Sequence, residues 1–469
     1  MQHMREKTII IQQTDRKDLN KHKIMKRFFI LTIAFLVASA GQISAQKEWS
    51  LEDCIRHAID HNIQIKQQTI QTKVQKNTFE QSKLSLLPSI SGQASHDYSF
   101  GRALDQTTYE FYNQTLQSEY FYLGGRTNLF TGLQNLNTIQ KNKYELLAGE
   151  QDLQKIRDNV SLSVALAYLQ ILLNKELVTA TENQLSTTRE QIAKTRKMVD
   201  AGSVAMGNLL QIEAQAAQEE VTLVNMQNQL EISYLNLTQL LELETPSGFE
   251  IVVPDINVEE TAAIEGNIDE IFGLAVQSRP EIKSSELKLT ASEYALRVAK
   301  GARSPSISMS HNFGTRYSHI ADLQGQQSFE DQLKNNKNYG LGFSMNIPIL
   351  NGWQVSKNIA NSKLAVENSQ YTLDGARKEL YKDIQQAYAD AVAALKKYNA
   401  SSKAVKSSEE SFRYTEQKFN VGMITPVDYN ASKSQLLNAQ SDMSQSKYEY
   451  IFKTKVLDFY KGLPLTLNQ

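Results

Sequence analysis

Cysteine is nearly absent: Cys54 stands alone among 469 residues. One cysteine excludes an internal disulfide framework and a cysteine-based metal cluster. Proline and glycine are scarce too, at 8 and 21, which points to long uninterrupted elements rather than many short strands and turns. Neither sign of charge dominates, with 50 Lys and Arg against 51 Asp and Glu. A nucleic-acid binder carries a basic excess, so that class is disfavoured. Beyond the N-terminal segment no stretch approaches 18 consecutive apolar residues, so any membrane span is expected to be built of strands. The seven histidines are scattered, without the HExxH or paired spacing of a metal site. No catalytic, cofactor-binding or metal-ligating set emerges, and an enzyme is a remote reading. Cys54, on the first short helix, reads as packed rather than reactive.

Residues 1–45 read as a leader. Met25-Lys26-Arg27 is basic, 28–37 is an apolar run, and Ala38-Ser39-Ala40 is small. These are the three regions of a secretory signal, with cleavage after Ala40 or Ala45. The apolar run is too short to span a bilayer; the alternative is a buried N-terminal helix. The polar residues before Met25 read as an over-extended start. No cysteine follows the cleavage zone, which argues against a lipoprotein anchor. The mature chain is expected outside the cytoplasm.

The rest is a duplication. Leu87-Pro88-Ser89-Ile90-Ser91 returns as Ser304-Pro305-Ser306-Ile307-Ser308. Phe130-Thr131-Gly132 returns as Leu350-Asn351-Gly352, Ala167-Tyr168 as Ala387-Tyr388, and Ala201-Gly202 as Val421-Gly422. These last three pairs share one offset, so the copies stay in register from Gly132 to Gly422 without a gap. The first pair is slightly closer, and the small insertion falls between Pro305 and Gly352. No proline falls within 133–200, 208–243, 353–420 or 428–461. Proline inside a helix costs roughly 3 kcal/mol, so long helices can run there. In the first copy's shorter arm Leu209, Ala216, Leu223, Leu230 and Leu237 repeat every seven residues, with Ile212, Met226 and Leu240 three positions further on. That is an a/d seam. Tyr429, Leu436, Met443, Tyr450 and Leu457 hold the same register in the second copy, and the polar Ser233, Ser432 and Lys453 interrupt it.

Between the helical stretches the residues alternate. Tyr339, Leu341, Phe343, Met345 and Ile347 alternate with Gly, Gly, Ser and Asn; Ile307, Met309, His311, Phe313 and Tyr317 do so with Ser306, Ser308, Ser310, Asn312 and Arg316. Ile90, Gly92, Ala94, Tyr98 and Phe100 alternate likewise in the first copy. The second face is polar but carries few charges, as in a membrane barrel with a wet lumen. Strands are expected at about 88–100, 118–130, 305–317 and 338–350, with polar outer loops at 101–117 and 318–337. Four strands cannot close, and an open edge is not tolerated in lipid. The barrel must therefore be shared: two copies give eight strands, three give twelve, and a conducting lumen favours three. Trp353 fits a membrane-interface belt or packing at a helix start.

This pattern resembles the TolC family of outer-membrane efflux ducts across residues 49–464. The carrying residues are the junctions at Gly132 and Gly352 and the paired hairpin tips. The second tip, Phe419-Asn-Val-Gly422-Met-Ile-Thr-Pro-Val-Asp428-Tyr429, looks like the family's, in which an Asp follows the Gly by six residues into the next helix. Its partner is Gly202-Ser-Val-Ala-Met-Gly-Asn208. The resemblance implies a mixed membrane α+β fold: a duplicated unit giving four strands per chain to a shared trimeric 12-stranded β-barrel, continuous with a long α-helical coiled-coil periplasmic tunnel. The repeats would occupy 46–243, with a helical hairpin 133–243, and 268–463, with a hairpin 353–461. The linker 244–267 would join a belt around the tunnel, and 464–469 would be a tail. It further implies a homotrimer in outer-membrane lipid, a periplasmic adaptor protein, an inner-membrane pump and no cofactor. Gly202, Ser203, Asn208, Gly422, Met423 and Thr425 would meet the adaptor. Asp428 and Phe419 would form the pore gate. Only Asp428 matches the family's acidic ring; the second acidic position is Ala431, the latch arginine's place is Ile424, and the family's tyrosine is Phe419. Asp428 also fits a helix N-cap, and both roles can hold. Three readings stay open: an efflux duct, the duct of a type I protein secretion system, and a secreted coiled-coil protein without a pore.

Overall fold

The computed structural model describes residues 48–104, 108–113, 115–244, 248–254, 264, 266–321 and 323–467. The expected leader, 1–45, and most of the linker 244–267 lie outside the described residues. The chain divides into two units. One comprises the residues up to Ser50 and Pro246–Val252. In it β1 (Glu48–Trp49) pairs in parallel with a short strand at Glu250–Ile251, and the Trp49 and Phe249 rings lie 5.6 Å apart.

The other unit holds the long elements. Helices α1 (Leu51–His61) and α2 (Ile63–Leu84) lead into strand β2 (Ser89–Ser99). Asn62 separates the two helices and caps the second, its side chain accepting from the amides of Gln64 and Ile65. A small antiparallel pair, β3 (Arg102–Leu104) with β4 (Phe111–Asn113), follows before β5 (Leu116–Phe130). Then come α3 (Gln134–Asp200) and α4 (Met206–Leu240). With Glu250–Ile251 counted as β6, the second copy runs α5 (Ile268–Ser278), α6 (Pro280–Gly301), β7 (Ser306–Ile320), α7 (Phe329–Asn335), β8 (Asn338–Asn346), α8 (Gln354–Asn420) and α9 (Pro426–Lys461). Helices α3 and α8 are each 67 residues, about 100 Å at ~1.5 Å per residue.

Two expectations need correction. The stretches 101–117 and 318–337 are not plain loops. The first carries β3 and β4, and the second carries the end of β7 and helix α7. Ser328 starts α7 by accepting from the amide of Asp331. Secondly, β8 stops at Asn346 rather than near 350; Pro348, just beyond it, has no amide to give a ladder.

One 18-residue window of α3 is apolar enough by length and composition to cross a membrane, with mean hydropathy 1.2 and 44% of it buried. Val164, Tyr168, Ile171 and Leu172 on this helix are fully buried, while Leu166 is 48% exposed, so packing accounts for one side of the stripe. A second core joins Ile271, Ala275, Ile282, Leu380, Ile384 and Leu457 from α5, α6, α8 and α9. In α4 the seam residues Leu209, Ile212 and Leu237 are buried. Two of the three polar interruptions are satisfied: Ser233 Oγ donates to Leu230 O, and Lys453 meets Asp390 at 2.8 Å.

The four strands form one antiparallel sheet in the order β2-β5-β7-β8. Its register lines up Gly92, Leu123, Phe313 and Tyr339 in one row and Ile90, Gly125, His311 and Leu341 in the next row on that face. The other face carries Ser89, Arg126, Ser310 and Gly342. One face is therefore largely apolar and the other polar, and β2 and β8 are open edges.

Candidate functional site: the paired hairpin tips

The tips are built the same way twice. Helix α3 ends with Gly202 at φ +72° and α8 with Gly422 at φ +74°. Ser203 N donates to Met198 O and Gly202 N to Val199 O; Met423 N donates to Lys418 O and Gly422 N to Phe419 O. This paired bonding closes a helix through a left-handed residue. A Cβ at either glycine would meet nothing within 4 Å, so the left-handed turn alone requires glycine.

The starts of the return helices differ. Thr425 is the N-cap of α9: its Oγ1 accepts from the amide of Asp428 at 3.2 Å, and Asp428 Oδ2 accepts from Thr425 Oγ1 at 2.7 Å. The expected N-cap, Asp428, is thus the third helical residue and the second half of a capping box. A carboxylate there also favours the positive end of the helix dipole. In the first copy Ala205 and Asn208 stand at the same places, and Ala205 offers no side-chain cap.

A cavity of about 330 Å³ lies between the two tips, and Ser203, Asn208, Phe419 and Gly422 line it together with Met198 and Ile424. Gly202, Met423, Thr425 and Asp428 are not part of that lining. Phe419 also packs against Tyr429, with ring centroids 4.6 Å apart and the planes tilted by 32°. Lys194 Nζ donates to Asn420 Oδ1 at 2.7 Å and ties the end of α3 to the end of α8.

Further from the tips, a charged relay crosses three helices. Lys433 and Glu219 are only 5% and 6% exposed. Lys433 Nζ donates to Thr188 Oγ1 at 2.7 Å, and Thr188 Oγ1 donates to Glu219 Oε2 at 2.5 Å. Gln184 and Gln215 supply two more donors to Glu219, at 2.7 and 3.1 Å. Burial pushes the Lys433 ammonium below its ordinary range, against the pull of Glu219 and Glu416. Burial, then Glu416 and Glu219, pushes the Tyr429 hydroxyl up to about 12. Sequence reasoning missed this relay. Glu219 falls at the seam position between Ile212 and Met226, so counting heptads could have found it. Lys433 carries no such signal.

A family model described as "Outer membrane efflux protein" matches residues 54–242 and 271–458. The chain belongs to the outer membrane efflux protein family. That membership gives it its place, the outer membrane. Outer membrane protein TolC of Escherichia coli (strain K12) is 21% identical over 314 residues, 66% of this chain and 62% of TolC; the match thus spans less than two thirds of that relative. The proteases secretion protein PrtF of Dickeya chrysanthemi is 19% identical over 95% of this chain and 94% of its own. Among solved structures, the outer membrane protein VceC of Vibrio cholerae superposes with a TM-score of 0.73 at 16% identity, covering 88% of this chain and 96% of VceC. At that identity the likeness concerns the mixed α+β fold.

Proposed function

We propose that this chain is the outer-membrane duct subunit of a tripartite efflux system and is not an enzyme. The observation that carries this reading is the four-stranded sheet, apolar on one face and polar on the other, with both edges open. Such a sheet is stable in lipid only when closed by further strands, and three copies would close it with twelve around a wet lumen. The same chain continues from the sheet into two helical hairpins, whose adjoining tips would face a periplasmic adaptor coupled to an inner-membrane pump. Asp428, exposed beside the second tip, would ring the opening with its copies and favour cations.

The test is to purify the full chain from outer membranes and record it in planar bilayers. Heat-modifiable trimers with single-channel conductance are expected. A soluble monomer without conductance would exclude the duct and leave the pore-less coiled-coil reading.

A second reading, a duct for protein secretion, is favoured by the near full-length match to PrtF. Deleting the gene separates the two. Loss of an exported protein without a change in small-molecule sensitivity would support secretion; the reverse would support efflux.

A further inference from the structure

The sheet meets the helices at four junctions: α2 to β2, β5 to α3, α6 to β7 and β8 to α8. Large apolar side chains stand in the open there, with Ile349 93%, Leu350 88% and Trp353 72% exposed, and Leu84, Leu87 and Leu133 exposed as well. Trp353 therefore does not pack at the start of its helix.

Charge at the junctions is one-sided. No Asp or Glu occurs between Glu80 and Asp97, between Glu119 and Glu145, between Glu293 and Asp322, or between Asp331 and Glu367. Each of those windows holds a junction and the strand next to it, whole for β7 and β8 and in part for β2 and β5, whose acids Asp97 and Glu119 lie toward the end away from the helices. Basic residues do occur in them, and Lys83, Lys300, Arg303 and Lys357 lie within about one helical turn of a junction. All four are exposed. Lys83 sits over the Phe79 ring at 3.9 Å, and none of the four has an ion pair among the described residues. Lysines at the ends of α2 and α6 suit the helix dipole. Lys357 does not: it lies at the start of α8, whose first turn has no acidic residue, where a cation opposes the dipole.

We propose that these junctions form a collar that binds the phosphate headgroups of anionic glycerophospholipids in the leaflet on the helix side of the sheet. The inference rests on the reading of the sheet as part of a membrane barrel. The apolar side chains enter the acyl boundary, and the basic side chains reach along it to the phosphates. A second copy of this chain is a poorer occupant. Its junctions are equally free of acid, so a self-contact at this level would leave the cations unneutralised.

The test uses the full chain in nanodiscs of phosphatidylethanolamine. Spin-labelled phosphatidylglycerol and spin-labelled phosphatidylcholine are compared at the protein boundary, with wild type and with K300Q/R303Q/K357Q. Wild type is expected to prefer phosphatidylglycerol about fivefold for each basic residue engaged. Salt should screen the preference, and inorganic phosphate at equal ionic strength should not compete beyond that. The triple variant, which retains Lys83, should lose most of the preference while keeping wild-type conductance. The single variant K357Q should lose part of it. Equal association of both lipids with wild type, or an undiminished preference in the variants, overturns the collar while the duct stands. Displacement by phosphate at constant ionic strength would mean free-anion sites and also overturn it. A chain that neither inserts nor conducts overturns the duct, and the collar with it.

Discussion

Lys433 on α9 donates to Thr188 on α3 at 2.7 Å, and the Thr188 hydroxyl passes that contact on to Glu219 on α4. The relay joins the second hairpin to the first through buried charge, whereas each hairpin holds itself together largely by apolar seams. Removing one member leaves the other buried and uncompensated, at ~3 kcal/mol or more. K433M should therefore lower the urea midpoint of the detergent-solubilised protein, and K433M/E219M should recover most of the loss. A double variant weaker than K433M would show that the hydrogen bonds, not the charge balance, hold this joint.

Capping and charge at the second tip can be separated. T425A removes the cap of α9 at about 1 kcal/mol, so amide exchange in the first turn of α9 should quicken roughly fivefold. D428N keeps an oxygen able to accept from Thr425 and should leave that exchange near wild type. It should instead shift the reversal potential of the open channel away from cations. Unchanged selectivity would remove Asp428 from the pore.

Gly132 and Gly352 have matching backbone conformations, φ +60° and +59°, but different surroundings. A Cβ at Gly132 would lie 2.3 Å from Gly301 O, whereas at Gly352 it meets nothing within 4 Å. G352A should cost only the left-handed strain, on the order of 1 kcal/mol. G132A should cost clearly more, read as the difference in thermal midpoint between the two variants.

Cys54 is fully buried, and burial, with Asp53 and Glu52 adding, pushes its thiol up to about 12. At pH 8 roughly one thiol in ten thousand would be ionised. Iodoacetamide should therefore fail to label the folded protein and label it once unfolded. Fast labelling of the native chain would contradict this packing.

Asp158 meets Arg279 at 3.4 Å, yet burial outweighs that attraction and raises its carboxyl above the ordinary value. The native state then keeps a proton that the unfolded chain has released. As pH rises from about 4 through the raised value, this site takes stability away. D158N cannot ionise, so its thermal midpoint should gain on wild type across that range. Parallel pH profiles would refute the shift.

The long helices were legible because proline is the residue a helix interior tolerates least. Helices α3 and α8 lie within proline-free windows. The tips were legible because a left-handed turn needs glycine. Of the pairs α1–α2 and α5–α6, which correspond across the two copies as the strands after them do, only the first short helix at Cys54 was read; in a helix interior Pro280 would be a break. It is instead the first residue of α6, where its missing amide costs nothing. The capping box at Thr425 and Asp428 was readable as Thr-x-x-Asp, though the cap was assigned to the wrong end of it. Nothing local reveals that Lys433 is buried, because the groups that accept from it, Thr188 and the Gln184 carbonyl, lie on α3 in the other copy.

Strand β5 closes the first copy's hairpin and β7 opens the second's, so their pairing joins one copy to the other. By the same correspondence, β8 and β2 carry the matching surfaces on the two open edges. The contact inside one chain is thus a template for the contact between chains. A ring of such subunits would hide a symmetry of twice its order, with the hairpin rather than the polypeptide as its repeating tile.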